Sequence, residues 1–582
     1  MSDVSPAERR ARLEARHPVW VPRTTAQQLD VTAAAFPDRP AILGERIHTY
    51  AELRDWTIRL AAGLIAAGVE PGDHVAVDMA NFPEAVALKY AVARVGAVSV
   101  SINFLLRHEE LRYILSQSNA TMLITMDRFR DVDYLDALDR IAPGWERDGE
   151  GAGGAVLPRL RAVFVMGTER PPARGRTLAD LIALGAPVPD EVVLRRTAAA
   201  DPLGASDLLY TSGTTGRAKG VLLRHDAVLR TAYASAYTRA FQDGRRILFA
   251  LPIYHVFGYV EATVAALFVA GAICPHTVFD ADLMLRSVAA HRIDELICVP
   301  AMTSVVLEKA RSGDYDLSSL TTMFSSGAAH HPAMWQEMAA VLGVDELFTA
   351  YGQTETTAST LCTRPGDPLD RLRGTNGCLK PAGTAGEPEL GGALAVYRVI
   401  DPETGAELPR GEIGELVVRG PVVTEGYYDM PQESAASFTA DGWLRTGDLG
   451  RFDEQGYLML TGRRKESYRC GGELVIPGEV EAVLAEHPAV LAAHVVGIPH
   501  ERMGEVGCAW IVAATAEPPD PEELIAYCRQ RLARFKVPAS VLFAGSEQLP
   551  TTVTGRVQKF QLVERAVLEL GARTAVTPAA QS

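Results

Sequence analysis

Apolar and polar positions alternate between two periods along the first two-thirds of the chain. Residues 49–68 (TYAELRDWTIRLAAGLIAAG) carry apolar side chains at helical spacing and stop at Gly68, which predicts a helix. HVAVDM (74–79) then predicts a strand, residues 84–95 a second helix and VSVSI (98–102) a second strand. Repeated helix–strand alternation predicts an α/β architecture with largely parallel sheets. The glycine- and charge-rich stretch 144–154 (GWERDGEGAGG) reads as a surface loop within a domain, because the alternation resumes directly after it. From about 405 to 460, short runs such as GELVVRG and GYLMLTG predict a β-rich subregion. The last hundred or so residues form a small α+β unit: a helix at 478–487, strands near 491–497 and 508–513, and a helix at 521–534. That last helix has Glu522 and Glu523 in its first turn and Arg529, Arg531 and Arg534 towards its end, which suits the helix dipole. The final dozen residues read as disordered.

A length of 582 residues excludes a single small module. A formal charge of −15 argues against a general nucleic-acid or anionic-membrane binder. Seven cysteines without a CxxC pair suggest neither a zinc site nor a disulfide framework. The charged N-terminus is no secretory signal, and the longest apolar run, Ala262 to Cys274, falls short of the roughly 18 residues a bilayer span needs. A cytoplasmic protein is expected.

The strongest chemical signal is Tyr210-Thr-Ser-Gly-Thr-Thr-Gly-Arg-Ala-Lys-Gly220. Its glycines (Gly213, Gly216 and Gly220) let backbone approach an anion, its hydroxyls (Thr211, Ser212, Thr214, Thr215) add donors, and Lys219 adds a charge. A Walker loop would need Gly at 218 and Ser or Thr at 220, and would join a strand to a helix. Here the residues are Ala218 and Gly220, and the flanking runs DLLY and GVLL are both strand-like. The segment reads as a nucleoside-triphosphate loop of another kind.

With this loop, the chain resembles the adenylate-forming enzymes: acyl-CoA synthetases, peptide-synthetase adenylation domains and beetle luciferases. The resemblance runs from about residue 25 to 565, with the family's motifs in order. It implies a large α/β AMP- and acyl-binding domain with a β-rich subdomain (1–462), a hinge (463–466) and a small mobile α+β domain (467–582). Tyr351-Gly352-Gln353-Thr354-Glu355 resembles the adenine and magnesium motif, with Tyr351 stacking on adenine, Thr354 near the α-phosphate, and Glu355 with Thr211 on the metal side. Gly327 and Ala328 resemble the adenine-side loop; the following His330-His331 departs from it, and without further ligands reads as a loop and not a metal site. Asp448 and Arg463 resemble the ribose-binding pair, Lys465 falls at the hinge, and Gly471 and Gly472 fall where the pantetheine tunnel is lined. His255, in PIYHVFG, reads either as a satisfied core histidine or as the gate of the acyl pocket, the resemblance favouring the gate.

The resemblance therefore implies ATP, Mg2+ and coenzyme A as reactants, with a carboxylic acid going to an acyl-adenylate and then to a thioester. A fatty or aryl acid is expected, because 254–258, 302–304 and 326–330 carry no Asp or Glu to pair with an ammonium. The alternatives are loading of a separate acyl-carrier protein and a nucleotide-binding pseudo-enzyme. The latter is prompted by Arg556, which stands in LPTTVTGRVQK where the family usually has the lysine that bridges carboxylate and α-phosphate. Arg keeps the charge but not the shape of a point-charge donor; Lys536 and Lys559 are the other lysines that could reach in, although the register argues against Lys559.

Overall fold

The computed structural model of the chain describes residues 4–147, 152–211, 217–328, 330, 333–515, 517–551 and 557–576. Two seven-stranded sheets form its larger part. In the first, strands Ala205–Thr211, Val98–Ser101, His74–Asp78, Met122–Met126, Ala162–Met166 and Arg176–Thr177 lie side by side in parallel, and Lys219–Arg224 closes the edge antiparallel. The second runs Glu346–Phe348, Thr322–Ser325, Glu295–Cys298, Arg246–Phe249, Ala272–Pro275 and Pro40–Ile42, again parallel, with antiparallel His48–Thr49 at its edge. The strands of such doubly covered sheets are apolar throughout, as MLITM and AVFVM show. The largest core is continuous between the two sheets, taking Val77 and Ile124 from one, Ile247, Phe249 and Phe324 from the other, and Leu88, Tyr233 and Val260 from intervening helices.

Local chemistry explains the boundaries. Thr49 and Glu52 form a reciprocal capping box that starts the helix Tyr50–Ala66, and Gly68, at φ +84°, carries the chain out of it. The predicted helix 84–95 is Pro83–Arg94, and the predicted strands are His74–Asp78 and Val98–Ser101. The β-rich region is a four-stranded antiparallel sheet of Val396–Ile400, Gly414–Arg419, Leu444–Phe452 and Leu458–Arg463. A short turn, Arg464–Glu466, follows, and the next strand, Tyr468–Cys470, belongs to a different sheet with Glu473–Val475, Gly504–Ala513, Val490–His500 and Ser540–Phe543. This last sheet has its own core, which includes Val480, Leu484, Ile511 and Leu524.

Two expectations need correction. The helix expected at 521–534 is Pro521–Arg529: the Arg531 amide donates to the Cys528 carbonyl three residues back, a 3₁₀-type bond that closes the last turn, and Arg534–Lys536 form a separate turn before Pro538. Only Arg529 of the three arginines lies in its last turn. At the C-terminus, helix Lys559–Val576 takes in the first half of the last dozen residues, and 577–582 lie outside the described residues. All seven cysteines are buried and free. Among the described residues no helix is long and apolar enough to cross a membrane, and no group of three His, Cys, Asp or Glu could hold a metal alone.

Candidate active site

The hairpin Ala205–Thr211 and Lys219–Arg224 brings Thr211 directly opposite Lys219, so the loop hangs from two strands as the sequence indicates. Ser212, Gly213, Thr214, Thr215 and Gly216 lie outside the described residues. Thr211 Oγ1 is 3.5 Å from the Lys219 carbonyl. The segment around Tyr427 runs antiparallel beside this edge, with Val221 bridging Tyr427 and the Tyr428 amide donating to the Gly220 carbonyl at 2.8 Å. The Tyr427 ring thereby lies 4.7 Å from Lys219 Nζ, in the range of a cation–π contact.

Strand Ala350–Gln353 carries the YGQTE motif to a 3₁₀ turn, Thr354–Thr356, and the chain reverses into strand Ala358–Cys362. Gly352 has to be glycine, because a Cβ there would fall 2.0 Å from the Ala358 carbonyl oxygen. Thr354 and Glu355 are both buried. Glu355 Oε1 accepts the Tyr427 hydroxyl at 3.0 Å, and its carbonyl accepts the Thr424 amide at 2.8 Å. Burial raises the Glu355 carboxyl above its usual range, while the Tyr427 hydroxyl and the Arg463 cation pull it back. Gln353 Nε2 is buried without a hydrogen-bond partner, an unmet donor of the kind that a bound ligand satisfies.

Tyr351 reaches across to the antiparallel sheet, where its hydroxyl donates to Asp448 Oδ2 at 2.7 Å. Asp448 Oδ1 pairs with Arg463 Nε at 2.6 Å, the two residues standing opposite one another in strands Leu444–Phe452 and Leu458–Arg463. Three motifs spread over more than a hundred residues thus meet at one carboxylate. Gly327 sits at φ +97°, and neighbouring Ser326 ties this loop to the motif strand, its Oγ donating to the Ala350 carbonyl at 2.7 Å. Ala328 is half-buried beside it. His330 turns inward, its Nε2 2.7 Å from Ser325 Oγ and its ring against Trp335, and burial pushes its pKa down to about 3. It is a packed side chain; His331 lies outside the described residues.

His255 caps the short helix Val256–Gly258, its Nδ1 accepting the Phe257 amide at 3.3 Å. Burial pushes its pKa down to about 4, so the ring is neutral at physiological pH. Phe257 packs edge-on against Phe324, with ring centroids 5.0 Å apart, while Tyr254 packs on Phe104. Lys465 occupies the Arg464–Glu466 turn, where partial burial and the cations of Lys219 and Arg463 lower its pKa; this places it in the field of Lys219. Gly471 and Gly472, at φ +60° and +91°, are exposed; a side chain added at Gly471 would meet only Met503, and one at Gly472 would meet nothing. In this pose they do not join Glu355 or Tyr351.

Arg556 lies outside the described residues. The two other lysines are already engaged: Lys536 Nζ is 2.6 Å from Glu479 Oε2, and Lys559 Nζ is 2.6 Å from Glu481 Oε1 and 3.4 Å from Glu466 Oε2. Tyr427 carries none of the sequence motifs; only the contact with both Glu355 and Lys219 reveals it.

Residues 29–428 match the AMP-binding enzyme family, and residues 479–556 match the AMP-binding enzyme C-terminal domain. The chain is 36% identical to a methyl-dioxo-octahydro-indenyl-propanoyl:CoA ligase of Mycobacterium tuberculosis, over 93% of this chain and 99% of that one. It is 31% identical to the mitochondrial medium-chain acyl-CoA ligase ACSF2 of Danio rerio, over 94% of this chain and 89% of that one. The crystal structure of ATP-bound MatB from Rhodopseudomonas palustris superposes with a TM-score of 0.77 at 29% identity, covering 92% of this chain and 98% of that one. Together with the meeting of Tyr351, Glu355, Asp448 and Arg463, these matches establish that the chain belongs to the AMP-binding enzyme family.

Proposed function

We propose that this protein is an AMP-forming acid–thiol ligase that converts a fatty or aryl carboxylic acid to its coenzyme A thioester in the cytoplasm. The observation that carries the reading is the convergence of Glu355, Tyr427 and Lys219 beside the Tyr351–Asp448–Arg463 cluster. One half offers a cation and a buried carboxylate for a polyphosphate, and the other offers a carboxylate and a guanidinium for a ribose. The names of the relatives, both CoA ligases, support coenzyme A as the acceptor.

In this reading a substrate carboxylate oxygen bonds to the α-phosphorus of ATP and the bond to the β-phosphate bridging oxygen breaks, giving acyl-adenylate and pyrophosphate. Lys219 and the hydroxyl loop hold the departing phosphates, Asp448 accepts the ribose hydroxyls, Arg463 adds a donor, and Tyr351 faces the adenine. Arg556 meets the acid carboxylate and the α-phosphate. His255, kept neutral by burial, gates the acid's entry next to the apolar Phe257–Phe324 pair. Mg2+, when bound, offsets charge on the phosphate oxygens. The residues present suit it: the single buried carboxylate of Glu355 is the sparse protein donor set that Mg2+ takes when substrate phosphates supply the rest, and the Thr211 hydroxyl, at the end of the strand that enters the phosphate loop, is the second candidate donor. In the second half-reaction the coenzyme A thiolate bonds to the acyl carbon and AMP departs with its phosphate oxygen. Residues 463–466, the end of strand Leu458–Arg463 and the turn after it, are the hinge in this proposal, and swinging of 467–582 about them would bring Gly471 and Gly472 to the pantetheine.

Pyrophosphate release from ATP across aliphatic and aryl acids, with and without coenzyme A, tests the whole reading. Acid-dependent release with a CoA thioester as product is expected. Single-turnover release indifferent to coenzyme A would instead favour a carrier-protein acceptor, and ATP binding without release would favour a pseudo-enzyme.

A further inference from the structure

Glu261 is a buried carboxylate that no part of the site described above uses. It lies in the π-helical turn Tyr259–Val264, in the same helical run that begins beside His255. Such single π turns are rare and often mark functional positions. Glu261 Oε1 accepts the Ser359 amide at 3.0 Å, and the Ser359 hydroxyl donates to the same oxygen. Lys380 Nζ donates to both carboxylate oxygens, at 3.0 and 3.3 Å, and also reaches Ser235 Oγ at 2.7 Å; Arg239 NH2 stands 3.6 Å from Oε2. Burial alone would raise this carboxyl, but Lys380 and Arg239 outweigh it and hold the pKa at about 2, so the group is ionised throughout.

What this carboxylate grips is the segment after the YGQTE motif. Thr357 and Ala358 both have positive φ, +54° and +85°, although neither is glycine. A β-branched residue there is a genuine outlier, and such turns persist only where the surroundings over-determine them. Thr357 Oγ1 donates to the Val422 carbonyl at 2.6 Å and Thr356 Oγ1 to the Ala358 carbonyl at 2.9 Å, which hold the start of the turn. Glu261 holds its end, at the first residue past the strained pair. Glu355 stands two residues before Thr357, in the 3₁₀ turn that leads into the strained pair.

We propose that Glu261 is a positioning residue for Glu355, locking the left-handed Thr357–Ala358 turn from the helical run that carries the acid gate and so coupling the acid side of the site to its metal side. The proposal rests on the reading of Glu355 as the metal-side carboxylate. It assigns Glu261 no contact with a reacting atom.

The test compares calorimetric affinities for ATP with Mg2+ and for ATP with a chelator, together with amide hydrogen exchange over residues 356–360. Glu261→Gln combined with Lys380→Met removes the anion and its main cation together, and Ser359→Ala removes one hydroxyl bond without touching an ion pair. Glu355→Gln is the reference, and Glu346→Gln, which breaks the distant pair with Arg9, controls for loss of an ion pair as such. The expected result for the double variant is a loss of about 10- to 100-fold in affinity for MgATP, as for other groups that support a metal ligand. Chelated ATP should bind as before, and exchange at 356–360 should quicken; Ser359→Ala should move both readouts the same way by less. Wild-type affinity for MgATP in folded double variant and in Ser359→Ala, with Glu355→Gln impaired, would overturn the proposal alone. Wild-type affinity in Glu355→Gln would overturn the metal reading and the proposal with it.

Discussion

Replacing Tyr427 by Phe isolates one hydroxyl at the centre of the site. The ring stays, so the contact with Lys219 Nζ at 4.7 Å stays, and what disappears is the bond from Oη to Glu355 Oε1 at 3.0 Å. A hydrogen bond to a charged group contributes about 1.5–3 kcal/mol. If that stabilisation is needed on the way to the adenylate, its loss slows adenylation about 10- to 100-fold. The sign on pH follows from the same contact. Burial already raises the Glu355 carboxyl, and Tyr427 favours its ionised form; without the hydroxyl the carboxyl rises further. The working form is the carboxylate, so activity is lost as pH falls through the folded pKa, and the acidic limb of the rate profile moves to higher pH. A differential of about 1.4 kcal/mol between the two protonation states moves that limb by about one pH unit. Acid-dependent exchange of pyrophosphate into ATP, measured between pH 5 and 9, reads both effects. An acidic limb in the same place, with a rate within twofold of the wild type, would refute the assignment of Tyr427 as the partner that keeps Glu355 charged.

Lys219→Ala and Glu355→Ala should each lower adenylation at least tenfold while circular dichroism and the melting curve stay close to wild type; unchanged pyrophosphate release in both would sink the site. Asp448→Asn leaves a neutral amide where Tyr351 and Arg463 now converge on a carboxylate, and should raise the KM for ATP by about tenfold, read from initial rates at saturating acid. Arg556→Lys should speed acid-dependent pyrophosphate release and leave transfer from a preformed acyl-adenylate to coenzyme A unchanged, if the forked cation is a handicap in the first half-reaction. Slower release would mean that the pocket is shaped to arginine.

The sequence-local parts of the site were legible before the structure. The phosphate loop needed only its glycines, hydroxyls and flanking apolar runs, and those runs are the antiparallel hairpin that pairs Thr211 with Lys219. Gly327 was marked by residue type and Gly352 by its place in the YGQTE motif, and the structure supplies the reason for each: a left-handed φ in the first and a Cβ collision in the second. Elements with one dominant period, such as Tyr50–Ala66 and His74–Asp78, also matched within a residue or two. The helix expected at 521–534 failed where periodicity is blind, since amphipathic spacing continued past the point at which the Arg531 amide tightened onto the Cys528 carbonyl three residues back.

What remained hidden was partnership across the fold. Lys536 looked available, and Lys559 was disfavoured only by register, because their counter-ions, Glu479 and Glu481, lie on another helix, far back in the chain. Tyr427 is one of two adjacent tyrosines in a loop, and nothing in GYYD distinguishes it until the edge pairing with Val221 brings it under Lys219 and against Glu355, 72 residues away in sequence. Glu261 is the strongest case. An isolated acid in the apolar run YVEATV conflicts with its neighbours, and sequence reasoning had no partner to give it. Its partners come from three other places: Ser359 after the YGQTE motif, Lys380 after the next strand, and Arg239 at the end of a preceding helix. An unpaired charge would be too costly to bury there, so such an acid in an apolar helix already implies distant cations. The tertiary structure identifies them and shows that the anion also grips the turn behind Glu355.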